Sequence, residues 1–213
     1  AHFVSPTPIR ARFVVLSARY VEQHRRYKGV EFSVYHHPSH AWNVPRMLDA
    51  MALSLDYFQS NFGPYQFDHF RIVEFPGYNN FAQAFAGTIP FSETVGFIAD
   101  YRQPHVIDQV MGMTAHEFAH QWWAHQVAAA DVEGEGVLSE TMAQYAAHMV
   151  VKHERGDAHI RRYLQFELDQ YLKGRNDDDP PLARARGQYA LLYRKGAVVM
   201  YLLQQRLGEH AVN

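Results

Sequence analysis

The chain has 213 residues, 47% of them apolar and 20% charged, with a formal net charge of −2; this is ordinary for a globular protein with a real core and gives no signal for nucleic acid or a polybasic membrane surface. It contains no cysteine, which excludes disulfides and any cysteine-ligated metal. No apolar run reaches the roughly 18 residues of a membrane span, no signal peptide is visible, and Ala1 stands in place of an initiator Met, so the chain is expected to be a fragment of something longer.

Residues 1–35 read as strands: Ile9–Tyr20 is rich in branched and aromatic side chains, and Val30–Tyr35 alternates cleanly, with a turn at Gly29 and the charged stretch before it. Residues 1–34 are expected to be the end of a preceding β domain. His36-His37-Pro38-Ser39-His40 reads as a loop rather than as a metal site, because Pro38 breaks regular structure and no carboxylate stands beside it in sequence. Asn43 is placed to cap a helix over 44–61, with Pro45 in the first turn and an apolar stripe of Met47, Leu48, Met51, Leu55 and Phe58. A strand over 67–75 and a turn at 76–80 follow. Between 81 and 103 the expected strand is 95–99, with Glu93 just before it.

A mostly apolar helix is expected over 106–124, with no proline after Pro104. It carries His116-Glu117-Phe118-Ala119-His120. Residues four apart lie on one helix face, so the two imidazoles can aim at one point, and Glu117 borders that face. Two neutral imidazoles at this spacing suit Zn²⁺, and the adjacent carboxylate is placed to take a proton from a metal-bound water. Buried histidines and a buried glutamate need partners, which a metal supplies. The loop at 128–137 follows, then a helix from Ser139 to Arg155 with Ser139 as N-cap and Glu140 in its first turn, a helix from Gly156-Asp157 to Leu172, an acidic surface loop at 176–181, and a last helix over 188–207 closed by Gly208. Catalytic zinc has three protein ligands and leaves a position for water. Glu140 is the expected third ligand; Asp131, Glu133 and Glu135 are rivals on a loop, which aims a ligand less well than a helix.

The sequence resembles the zinc aminopeptidase family typified by aminopeptidase N. The resemblance rests on His116-Glu117-x-x-His120, on Leu138, Glu140, Ala143 and Tyr145 of an L-x-E-x-x-A-x-Y pattern, and on Tyr193-Arg194-Lys195-Gly196 as Y-x-K-G, in that order along residues 35–213. Its wording is closest to aminopeptidase-like domains of transporter-type bacterial membrane proteins. Gln121 to Ser139 separate His120 from Glu140, one residue more than is usual in the family. The resemblance implies an α+β, thermolysin-like zinc peptidase domain over 35–213, a small sheet followed by a helical half. It implies one Zn²⁺ on His116, His120 and Glu140, Glu117 as general base, Tyr193 as the oxyanion's hydrogen-bond donor and Glu93 as partner of the substrate's α-amine. The expected function is removal of N-terminal residues from peptides by attack of a zinc-bound water. The alternatives are a metalloendopeptidase with the same zinc site and a non-catalytic peptide-binding domain. The expected partner is a peptide, with no nucleic acid and no membrane contact by this segment, in a full-length protein at the bacterial cell membrane.

Overall fold

The computed structural model describes residues 4–5, 7–101, 103 and 106–213; positions 1–3 and 6 of the expected N-terminal strands, and 102, 104 and 105 before the helix of the two histidines, lie outside the described residues. The first strands are β1 (Val21–Tyr27) and β2 (Val30–His36), an antiparallel hairpin in which Tyr27 faces Val30. The two turn residues, Lys28 and Gly29, have φ of 47° and 87°. Positive φ at both positions gives the turn whose twist matches that of the strands. The strand expected over Ile9–Tyr20 is irregular, and Phe13 and Val15 stay exposed. The charged residues read as a turn are instead strand β1. An edge strand exposed on much of its length is held by main-chain pairing, so its charged side chains do not disqualify it.

Helix α1 (Val44–Phe62) carries the chain across to β3 (His69–Phe75), which pairs parallel to β2; β4 (Thr88–Ser92) pairs parallel to β3, giving a mixed sheet of order β1-β2-β3-β4. A parallel pair requires such a crossover. The segment read as the end of a preceding domain therefore shares a sheet with β3. Asn43 sits at the N-cap of α1 without capping it through its side chain; its amide donates to the carbonyls of Gly96 (2.8 Å) and Ala99 (2.9 Å) and ties the helix start to the loop after β4. The strand expected at 95–99 is not there. β4 lies earlier, and Glu93–Phe97 form a π-helical turn directly after it. Phe81–Phe85 doubles back along the free edge of β4: Ser92 N–H donates to the Phe81 carbonyl (3.0 Å) and Gln83 N–H to that of Pro90 (3.1 Å). This return segment satisfies the sheet edge and, as shown below, forms a wall of the site.

The helical half comprises α2 (Gln109–Ala119), α3 (Met142–Arg155), α4 (Asp157–Gly174), α5 (Gly196–Leu207) and α6 (Glu209–Val212), with π-helical turns at Val137–Thr141 and Ala190–Lys195 leading into α3 and α5. A small mixed sheet followed by helices is the α+β architecture expected. No helix among the described residues is long and apolar enough to cross a membrane.

The core lies where α1 and α2 cover the sheet. Met47, Met51, Leu55 and Phe58 of α1 meet Phe32, Phe70 and Ile72 of the sheet and Phe118 of α2. Phe118 stacks on Phe70 with centroids 4.1 Å apart, and burying so large a ring is worth about 3–5 kcal/mol against alanine. On α3, Ala143, Ala146 and Ala147 are buried, and their small side chains let α3 approach α2 closely. Asp108 caps α2 by accepting from Met111 N–H (3.1 Å) and pairs with Arg46 and Arg155, each at 2.9 Å. One buried carboxylate thus ties α1, α2 and α3 together at the foot of α2.

Candidate metal centre and active site

The regular part of α2 ends at Ala119, short of the expected Ala124, but the His120 N–H still donates to the His116 carbonyl (3.3 Å). The helical spacing therefore extends to the second histidine, and the two Nε2 atoms lie 3.1 Å apart. Glu140 Oε2 stands 3.4 Å from His116 Nε2 and 3.2 Å from His120 Nε2. The three atoms form a nearly equilateral triangle. A zinc ion with N and O ligands at about 2.0–2.1 Å in a tetrahedral arrangement has ligand–ligand edges of about 3.3–3.4 Å. The residues fit the ion.

Two further observations support that fit. Glu140 Oε2 is buried without a hydrogen-bond partner, an unusual state for a carboxylate oxygen unless a cation fills the centre of the triangle. His120 Nδ1 lies 2.9 Å from the Trp123 carbonyl, so that nitrogen carries the proton and Nε2 turns a lone pair inward. Without a cation, burial opposes charge on His120, but the adjacent Glu140 carboxylate and the Glu117 charge push its pKa up to about 9. Burial also opposes charge on Glu140, yet the adjacent His116 and His120 hold it far below the usual carboxylate range. A proton on His120 supplies part of the positive charge that a dication would bring. The rivals are elsewhere: Asp131 pairs with Arg186 (3.3 Å) and Glu133 faces Arg184 (4.0 Å), both on the surface.

Ser139 does not cap the helix that carries Glu140. The chain is already helical from Val137, in a π turn that runs into α3, and the Ser139 hydroxyl reaches only the Glu135 carbonyl at 3.5 Å. A π turn holds one residue more than an α turn and is a frequent feature of functional sites. The extra residue between His120 and Glu140 has a place here. Tyr193 is mounted in the same way, in the π turn before α5. The two turns lock together: the Thr141 hydroxyl donates to the Leu192 carbonyl (2.7 Å), and a Cβ on Gly196 would stand 2.6 Å from Thr141 Oγ1. The glycine of Y-x-K-G is required by this approach.

Tyr193 stacks on His116 (centroids 5.3 Å) and on Tyr189 (4.5 Å). Burial first, then the Glu140 charge and a hydrogen bond to it, raise its pKa well above that of a free phenol, so the hydroxyl stays a donor. Glu117 is buried beside the triangle, and burial raises its pKa against the lowering effect of His116 and His120. Behind Tyr193 lies a network that the sequence reading missed. Arg194 is paired with Glu167, a carboxylate fully buried on α4, and donates to the Tyr189 hydroxyl (2.8 Å); Gln144 donates to Glu167 (3.0 Å). Its signal was available: Ile160, Tyr163 and Glu167 share the buried face of α4, where a charge needs a partner.

Two cavities, of about 390 and 240 Å³, flank the triangle and share Phe81, Ala82, Glu117 and Tyr193. Together they make a cleft passing the metal point. The return segment along β4 forms one wall, and Arg10 and Arg12 of the irregular N-terminal stretch stand on the larger cavity with Gln83 and His125.

Glu93 lines neither of these two cavities. Its carboxylate accepts from Gly77 N–H (2.8 Å) and lies 3.9 Å from His40 Nδ1, lining a separate cavity with Arg19, Tyr20, His37 and Glu74. Glu93 opens the π turn directly after β4, and its side chain is held there at the turn after β3. Here the histidine loop does have a carboxylate beside it. His40, Glu74 and Glu93 bring ligand atoms within 4.8 Å of one another, but the oxygens of Glu74 are already taken by His37 N–H and His40.

No curated protein matches the chain. A family model does: that of the Peptidase family M1 domain, over residues 46–213. The match spans α1, β3, β4 and the whole helical half, including His116, Glu117, His120, Glu140 and Tyr193. By that match the chain belongs to peptidase family M1, the aminopeptidase N family.

Proposed function

We propose that this domain is a zinc-dependent peptidase that removes N-terminal residues, with His116, His120 and Glu140 as the metal ligands. The carrying observation is the convergence of three ligand atoms within 3.4 Å of one another, with Glu117 and Tyr193 on the same cleft. The order of small sheet, two histidines on one helix and a glutamate at the start of the next supports a thermolysin-like arrangement. Bound zinc would supply Lewis acidity and a water whose pKa lies near about 7. The chain's own residues do the rest. Glu117, buried and stripped of solvent, takes the proton of the attacking water and passes it to the leaving amine. Tyr193 remains protonated and donates to the oxygen that becomes negative as the carbonyl carbon turns tetrahedral. The walls at Phe81, Ala82 and Gln83 present a β4-edge segment along which an extended peptide can lie.

The test is hydrolysis of amino-acid amides and short peptides by zinc-loaded protein, with Glu117→Gln as control. The variant should keep its metal and lose turnover by about a hundredfold or more. Equal turnover in both would remove Glu117 from the mechanism. A second reading, a metalloendopeptidase, is favoured by one observation: Glu93 does not reach the cleft, and the acids that do are engaged with the triangle or with Arg194. Acetylated and free-amine peptides separate the two: an aminopeptidase cuts only the free amine, an endopeptidase both.

A further inference from the structure

The larger cavity keeps its acids and its cations apart. Its lining acids are Glu117 and Glu140, the first beside the triangle and the second part of it. Its lining cations are Arg10 and Arg12, both exposed and neither with an ion-pair partner among the described residues. The segment that carries them turns locally, with Arg12 N–H donating to the Arg10 carbonyl (2.7 Å), and it meets the return segment of β4 where the Arg12 guanidinium sits 5.9 Å from the Phe85 ring centroid. A few residues on, the Tyr20 hydroxyl anchors the same stretch to the Glu74 carbonyl (2.8 Å). In the smaller cavity the one cationic side chain, Arg194, is spent on Glu167. An ammonium group entering the larger cavity thus meets two guanidinium groups and finds carboxylates only at the triangle, whereas a carboxylate meets two planar donors without an ion-pair partner among the described residues. Guanidinium groups recognise carboxylates through paired hydrogen bonds, and a charge complement in a cleft selects among ligands more than it adds raw affinity.

We propose that Arg10 and Arg12 form a substrate subsite for a carboxylate, so that the cleft selects peptides carrying a negative group on this side of the cleavage point. The inference rests on the reading of the cleft as a peptide site. The carboxylate comes either from an Asp or Glu side chain or from the peptide's C-terminus.

Equilibrium binding tests this without any turnover. Glu117→Gln protein loaded with zinc is titrated calorimetrically with alanine-based hexapeptide amides that carry Glu or its isostere Gln at each position in turn. A parallel pair compares the C-terminal acid with the amide in a peptide without acidic side chains. The expected result is a preference of about tenfold for the charged member at one position or at the C-terminus, shrinking as salt is raised. The preference should vanish in Arg10→Gln/Arg12→Gln, whose two sites are exposed and leave the core untouched, and should turn towards Lys over Gln in Arg10→Glu/Arg12→Glu. Equal binding of Glu and Gln peptides, or a preference that survives the double Gln variant, overturns the subsite. Discrimination with no hydrolysis by the wild type would overturn the peptidase reading and leave the subsite standing; hydrolysis without discrimination does the reverse.

Discussion

The Tyr193 ring lies against the His116 imidazole, centroids 5.3 Å apart and planes inclined by 30°, so the proposed oxyanion donor is packed on a proposed metal ligand. The two are held by separate helices, and each restricts the other's rotamers. Tyr193→Phe should therefore keep the stack and the metal while removing only the hydroxyl. A hydrogen bond made mainly in the transition state appears in kcat rather than KM, so steady-state kinetics should show kcat falling by about a hundredfold with KM little changed. A change confined to KM would place the hydroxyl in ground-state binding.

One zinc per chain is expected, and His120→Ala should abolish it in metal analysis after dialysis. The same substitution removes one corner of the triangle and leaves Glu140 and His116 with no second imidazole between them. Retention of stoichiometric zinc by this variant would show that the ion sits elsewhere.

Glu167 should govern acid stability. Burial opposes its charge, but His148 and Arg194 hold its pKa below the ordinary glutamate value. A depressed folded-state pKa means stability that is fully present above the unfolded value, about 4.3, and is lost as pH falls through the folded one. Thermal melts of the wild type should thus drop steeply on the acid side of about pH 4. Glu167→Ala leaves the half-buried Arg194 without its carboxylate, and should lower stability at neutral pH by about 3 kcal/mol with a flatter acid limb. An unchanged limb would move the acid sensitivity to other carboxylates.

Gly196→Ala should disturb the site from outside it. The added methyl would stand 2.6 Å from Thr141 Oγ1, and Thr141 follows Glu140. Either Thr141 gives up its bond to the Leu192 carbonyl or the two π turns separate. Zinc affinity should fall by about tenfold or more, as for residues that orient ligands, and a competition titration with a chelator measures it. Zinc affinity equal to that of the wild type would show that the close approach is not needed to aim Glu140.

How far the sequence could be read follows from the range of each interaction. His116, Glu117 and His120 are related by helical spacing alone, and Glu140 needed only the next helix, so both were legible. The fate of Glu93 was not, because it depends on which residues pair in β4, and a slip from 88–92 to 95–99 changes where the side chain is sent. Arg10 and Arg12 carry no periodic pattern; only the tertiary path of an irregular segment brings them to the cleft. β1 was hidden because an edge strand can be charged throughout.

The π turn ahead of α3 has a consequence for how the domain can change over time. Inserting one residue into an ordinary helix turns everything beyond it by about 100° and would swing Ala143, Ala146 and Val150 out of the core. A wide turn takes up the added residue locally, so the packed face of α3 keeps its bearing while the stretch bearing Glu140 is reshaped. The helix behaves like a shaft with a slip joint: the metal-facing end and the core-facing end can be adjusted independently, and the distance in sequence between His120 and Glu140 is free to vary without unseating the fold.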